Sequence, residues 1–110
     1  MKLPGAERAV IDERKVREYL LSTSHPIGRF KAAFLARAGF GVENWRDLEA
    51  QLRELAVRED AVLGETGRYG DKYLLSGILT GPKGHTLEVT TVWIVPQGGG
   101  HPRLVTVYPR

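Results

Sequence analysis

Leu52-Arg53-Glu54-Leu55-Ala56-Val57-Arg58-Glu59-Asp60-Ala61-Val62-Leu63-Gly64-Glu65 is the stretch in which the spacing of apolar residues changes. Before Glu59 they recur at intervals of three and four, the period of a helix with one buried face. From Asp60 onward they alternate, the period of strands. The change divides one domain, residues 1–110, into a helical part over about 12–58 and a sheet part over about 60–109.

Upstream, three helices fit the pattern. Asp12 is placed to cap a first over about 13–21, with Val16, Tyr19 and Leu20 on its apolar face. A second runs from about Gly28 to Ala38 with Phe30, Ala33, Phe34 and Ala38 as its buried stripe, and Gly39 supplies a left-handed stop. Asn44 caps a third, which stacks Trp45, Leu48, Leu52 and Leu55 on one side.

Downstream, glycine-bearing turns separate four strands: Ala61 to Glu65, Lys72 to Leu79, about His85 to Val95, and Arg103 to Tyr108. Short turns between neighbours predict an antiparallel meander, and helices that all precede it cover one face, an α+β fold. Alternation sends Tyr73, Leu75, Leu79, Val89, Thr91, Trp93, Val105 and Val107 toward the helices. The opposite face carries Ser76, Glu88, Thr90, Thr106 and Tyr108, but also Leu74, Ile78, Val92, Ile94 and Leu104. So mixed a face predicts a partner or ligand surface, or a homodimer through it.

Composition bounds the chemistry. The 110 residues hold no cysteine, and the three histidines lack any metal-binding spacing, so no metal and no cofactor is expected. No apolar run approaches the roughly 20 residues of a membrane helix, and the first residues do not resemble a secretory signal, so a soluble cytoplasmic protein is expected. The formal charge is +3. Residues 1–58 carry 11 Lys/Arg against 8 Asp/Glu, and residues 59–110 carry 5 against 5, which places the excess in the helical half. A basic flank attracts phosphate backbones but is also an ordinary solvated surface. Arg outnumbering Lys, with frequent Leu, Ala and Gly, suits a thermophile-like or GC-rich source.

Two segments could carry a site. In Ser24-His25-Pro26-Ile27-Gly28-Arg29-Phe30-Lys31, His25 stands at the start of the second helix. There it either caps the helix or, kept neutral by the helix dipole, acts as a general base. Lys31 lies about 60° from the centre of the expected apolar stripe, so its ammonium either snorkels or holds a phosphate or oxyanion where water is scarce. Arg29 points away as a surface charge. The second segment, Arg68, Tyr69 and Lys72, surrounds a glycine turn that presents cations to an anion or simply closes a hairpin. The glycines 98–100 join strand to strand and lack Gly-Lys-Ser/Thr, so they form a loop and not a phosphate cradle.

His25-Pro26-x-Gly28-Arg29-x-Lys31-Ala32 with Phe34, Tyr69-Gly70-x-x-Tyr73, Thr80-Gly81-Pro82-x-Gly84, Trp93-Ile94-Val95 and Pro102-Arg103-Leu104-Val105-Thr106-x-Tyr108 occur in this order. Together they resemble a family of small uncharacterised bacterial domains, over nearly the whole chain. The resemblance implies no established activity; such domains occur alone or attached to phage-related or toxin-like proteins. Many members have His-Lys-Ala where this chain has Phe30, which implies loss of a family histidine here. The order of elements is similar to that of the barnase, EndoU, colicin and RelE ribonucleases, which move protons with His, Lys or Glu and need no metal.

The function expected is a module that binds protein or nucleic acid. The alternative is a metal-independent ribonuclease-like enzyme. In that case His25 is the acid or base, Lys31 and Arg68 are the phosphate cations, and Arg29, Tyr69, Lys72, Thr106 and Tyr108 bind the substrate.

Overall fold

The computed structural model describes all 110 residues. Helix α1 begins at Glu13–Lys15 and runs without a break into a π-helical turn, Val16–Leu20, closed by Leu21 N–H donating to Val16 O. Helices α2, Gly28–Ala36, and α3, Trp45–Arg58, follow. Strands β1, Val62–Gly67, β2, Gly70–Thr80, β3, Thr86–Pro96, and β4, Arg103–Pro109, form one antiparallel sheet in the order β1-β2-β3-β4. The expected α+β meander, with its helices leading, is the architecture observed.

The core lies between the helices and one sheet face. Leu48, Leu52 and Leu55 of α3, Leu35 of α2, and Val16 and Leu20 of α1 meet Tyr73, Leu75, Leu79, Val89, Trp93 and Val107. Asp12 accepts from Arg14 N–H at 2.9 Å, the cap expected of α1. Asn44 precedes α3 as expected, but its side chain turns back onto the preceding loop, donating to Gly39 O and accepting from Gly41 N–H.

Helix α2 is rotated from its expected orientation. Of the expected stripe Ala38 is buried and Phe34 is half-buried against the core, but Phe30 is 65% exposed and Ala33 faces outward, while Gly28, Ala32 and Leu35 are buried in their place. The reason is a close approach at Gly28: a Cβ built there would lie 1.9 Å from the Tyr19 carbonyl oxygen. Small residues bring α2 against the end of α1, and the phenylalanine stripe is displaced toward solvent and the sheet edge.

A second correction concerns β4. Leu104 was expected on the open face, yet it is 4% exposed and pairs with Trp93 on the core face. The register slips between Val92↔Thr106 and Trp93↔Leu104, leaving Val105 as the extra residue of a bulge. Strict alternation assigns the wrong face to every residue beyond such a slip.

The N-terminal segment also builds the fold. Leu3, Ala6, Ala9 and Ile11 are buried, and Val10 bonds the edge of β4 through Val10 N–H to Pro102 O and Leu104 N–H to Val10 O.

Candidate functional site

His25 is held at the start of α2 by a local network. Ser22 Oγ accepts from the N–H groups of Ser24 and His25, and His25 Nδ1 accepts from the N–H groups of Ile27 at 3.0 Å and Gly28 at 2.9 Å. These are the otherwise orphaned donors of a helix N-terminus. With Nδ1 occupied as the acceptor of two N–H groups, Nε2 is the ring nitrogen left to meet a ligand. The ring stands edge-on to Tyr19, with centroids 5.1 Å apart.

Tyr19 connects His25 to the sheet. Its hydroxyl lies 3.3 Å from Thr106 Oγ1 on β4. Lys15 Nζ donates to Val105 O at 3.0 Å and lies 5.5 Å from the Tyr19 ring centre. Lys31 Nζ donates to Val107 O at 2.9 Å and sits 5.9 Å from the Tyr108 ring centre. Lys15, Tyr19, His25, Lys31, Thr106 and Tyr108 therefore gather along the outer edge of β4. An ammonium carries three donors, so each lysine that binds one carbonyl keeps two for another acceptor. Their first role is to satisfy carbonyls of an edge strand that would otherwise invite pairing. An open hollow of about 240 Å³ beside them is lined by Asp12, Arg14, Lys15, Glu18, Tyr19 and His25.

The other sequence candidates lie elsewhere. Arg68 and Tyr69 form the tip of the β1–β2 hairpin, with the guanidinium 5.5 Å from the ring centre, and Lys72 follows on β2. They share a hollow of about 130 Å³ with Ile94. Val107, which Lys31 touches, is level with Thr91 and Leu75, five residues along β2 from Gly70. At about 3.3 Å per residue and about 4.8 Å per strand, roughly 19 Å of sheet separates Gly70 from Val107. Arg68 thus shares no cleft with His25 and Lys31. Arg29 is exposed on α2, donating to Pro26 O and stacking 4.4 Å from the Phe30 ring centre.

Sequence reading missed Tyr19 and Lys15 as site residues. One signal was present: a tyrosine on the apolar face of a helix brings a hydroxyl that requires a partner.

The open face of the sheet is the second surface. Val62, Leu74, Val92 and Thr106 form one row across all four strands, flanked by Ser76, Thr90 and Tyr108 in the next. Val62 is 67% exposed, and Ile78 is also exposed. Two adjoining hollows of about 480 and 420 Å³ overlie Ser76, with Glu59, Asp60, Glu88 and Arg110 at their margins. Ser76 Oγ and Thr90 Oγ1 bond each other at 2.9 Å on the floor. No group of three His, Cys, Asp or Glu side chains is arranged to hold a metal ion, and no helix is long and apolar enough to cross a membrane.

A chain of the solved contact-dependent growth inhibition toxin–immunity protein complex from Klebsiella pneumoniae 342 has the same fold. It matches with a TM-score of 0.69 at 20% identity, over 92% of this chain and 99% of that chain. No curated protein sequence matches this one. A family model does match, over residues 2–110, and by that match the chain belongs to the family described as a domain of unknown function, DUF6883.

Proposed function

We propose that this domain is a binding module that docks a protein partner on the open face of its sheet. The observation that carries the reading is the apolar row Val62, Leu74 and Val92 across β1–β3, with Val62 and Ile78 exposed, Leu74, Val92 and Ile94 half-buried, and Glu59, Asp60, Glu88 and Arg110 around them. An apolar centre with a polar rim is how protein interfaces are built. A toxin–immunity complex of the same fold supports a protein as the occupant.

The test is affinity capture of a partner by the whole chain, then titration of the captured partner against wild type and the Leu74→Lys and Val92→Lys variants. A central interface residue carries about 2 kcal/mol or more, so each substitution is expected to weaken the complex roughly thirtyfold. Circular dichroism checks that the variants fold. An unchanged affinity in both variants rules out this face. A dimer formed without any partner, and broken by the same substitutions, assigns the face to a second copy.

A second reading rests on the cluster at β4: a metal-independent ribonuclease. It gathers a hydroxyl pair, an imidazole and two ammonium groups, the set needed beside a phosphodiester. In this geometry Nδ1 of His25 is held by the N–H groups of Ile27 and Gly28, so only Nε2 can face a substrate. RNA cleavage that persists in chelator is expected to fall at least tenfold in Tyr19→Phe and in a His25→Ala, Lys31→Ala double variant. Equal background from wild type and variants removes the ribonuclease.

A further inference from the structure

From Tyr19 to Val42 the chain contains no Asp or Glu, and within that span lie Arg29, Lys31 and Arg37. Helix α2 occupies its middle, burying Gly28, Ala32 and Leu35 and resting Phe34 partly against the core. The rest of the helix is unusual for a solvated surface. Ile27 is 61% exposed and Phe30 65% exposed, and Phe34 is half-buried. Residues 27, 30, 34 and 37 follow the i, i+3, i+7, i+10 rule and fall on one stripe. On that stripe each aromatic ring is accompanied by a guanidinium, Arg29 at 4.4 Å from the centre of Phe30 and Arg37 at 5.8 Å from that of Phe34. Neither arginine has a carboxylate partner. Lys31 adjoins the stripe on the side of β4, where it reaches Val107 and Tyr108.

We propose that the outer stripe of α2 is a platform for single-stranded nucleic acid. Charge selects the class: three cations that pair with no carboxylate fit a polyanion and would repel a basic partner. The rings select within it. An exposed ring paired with a guanidinium plane, as Phe30 is with Arg29, is a surface on which an unpaired base stacks, while the arginines offer charge to the phosphates beside it. Duplexes offer no free base face to stack on Phe30, and an acidic protein is the competing occupant that polyglutamate represents in the test. The stripe meets the open sheet face only where Lys31 reaches Tyr108, and its aromatic centre at Phe30 lies on α2, so variants at Phe30 and at Leu74 report on different occupants.

The test uses the whole chain and labelled single-stranded oligonucleotides of about twelve nucleotides, within the span that one such platform engages. All-RNA and all-DNA versions separate the two sources of the same chemistry, and the DNA arm is immune to ribonuclease cleavage. Anisotropy titrations at low salt should show binding to at least one. Phe30→Ala should weaken it about 5- to 100-fold, the range for losing one stacked base. Arg29→Gln with Arg37→Gln should flatten the dependence of log K on log salt by about 0.7 per charge. Both variants alter exposed side chains, and thermal melting confirms their folding. Val57→Ser, at an exposed position of α3 outside both surfaces, should leave oligonucleotide binding unchanged. Three results overturn the platform: no binding of either oligonucleotide at low salt, variants that bind as tightly as wild type, or polyglutamate competing as well as the oligonucleotides.

Discussion

Replacing Gly28 with alanine is expected to lower the melting temperature by about 10–20 °C, the equivalent of roughly 2–3 kcal/mol in a domain of this size. Helix propensity alone predicts the opposite sign, since alanine is favoured over glycine by about 1 kcal/mol within a helix. The steric effect is larger. The new methyl would lie 1.9 Å from the Tyr19 carbonyl oxygen and 2.8 Å from its carbon, and backbone cannot step aside as a flexible side chain can. The helices must part, and His25 loses the geometry in which its Nδ1 receives Gly28 N–H. Gly84→Ala separates this cause from the general cost of replacing a glycine. Gly84 has a φ of +89° and nothing within 4 Å, so there only the backbone conformation is penalised, by about 1–2 kcal/mol. Differential scanning calorimetry on both variants decides. A Gly28→Ala protein that melts at or above wild type would mean that α1 and α2 do not pack as closely as described.

The same contact explains why part of the molecule could be read from its sequence and part could not. Period, caps and turn residues are local, and they located every strand and all three main helices to within a few residues. The orientation of α2 depends on a contact between residues 19 and 28, and hydrophobicity alone points its phenylalanines inward. Glycine carries no hydropathy signal, so the contact that orients the helix was invisible, and Phe30 and Ala33 of the face that looked apolar are outside. At β4 the missing information is one bulged residue. Val105 breaks the alternation and returns Leu104 to the core, so the open face has less apolar surface than strict alternation implies. The candidate site followed the same rule. His25, Lys31, Thr106 and Tyr108 were individually legible, and the fold brings them to one edge. Lys15 and Tyr19 join them through contacts 90 and 87 residues apart in sequence. Arg68 was grouped with them by charge alone, and the register of the sheet carries it to the far end.

The strand register on which both surfaces depend is pinned from inside by one buried polar chain. Thr91, fully buried, donates from Oγ1 to Leu75 O at 3.0 Å and accepts from Trp93 Nε1 at 2.8 Å. Packing and hydrogen bonding rank two substitutions here in opposite orders. Valine preserves the shape of threonine and would be the milder change if packing dominated. Serine keeps the hydroxyl but loses a methyl, at about 0.8 kcal/mol. A buried donor left without a partner costs about 1–3 kcal/mol, and in Thr91→Val the indole N–H is left so. Thr91→Val is therefore expected to destabilise by about 2–3 kcal/mol and Thr91→Ser by about 1 kcal/mol, measured by urea unfolding. Removing the donor as well relieves part of the penalty, because Trp93→Phe leaves no N–H to satisfy. The Thr91→Val, Trp93→Phe double variant should then be more stable than the sum of the single changes by about 1 kcal/mol, beyond the 0.3–0.5 kcal/mol within which independent sites add. Additive losses, or a serine variant weaker than valine, would show that Thr91 serves by filling space. In that event the alignment of Ser76, Thr90 and Tyr108 on the opposite face would rest on the backbone ladder alone.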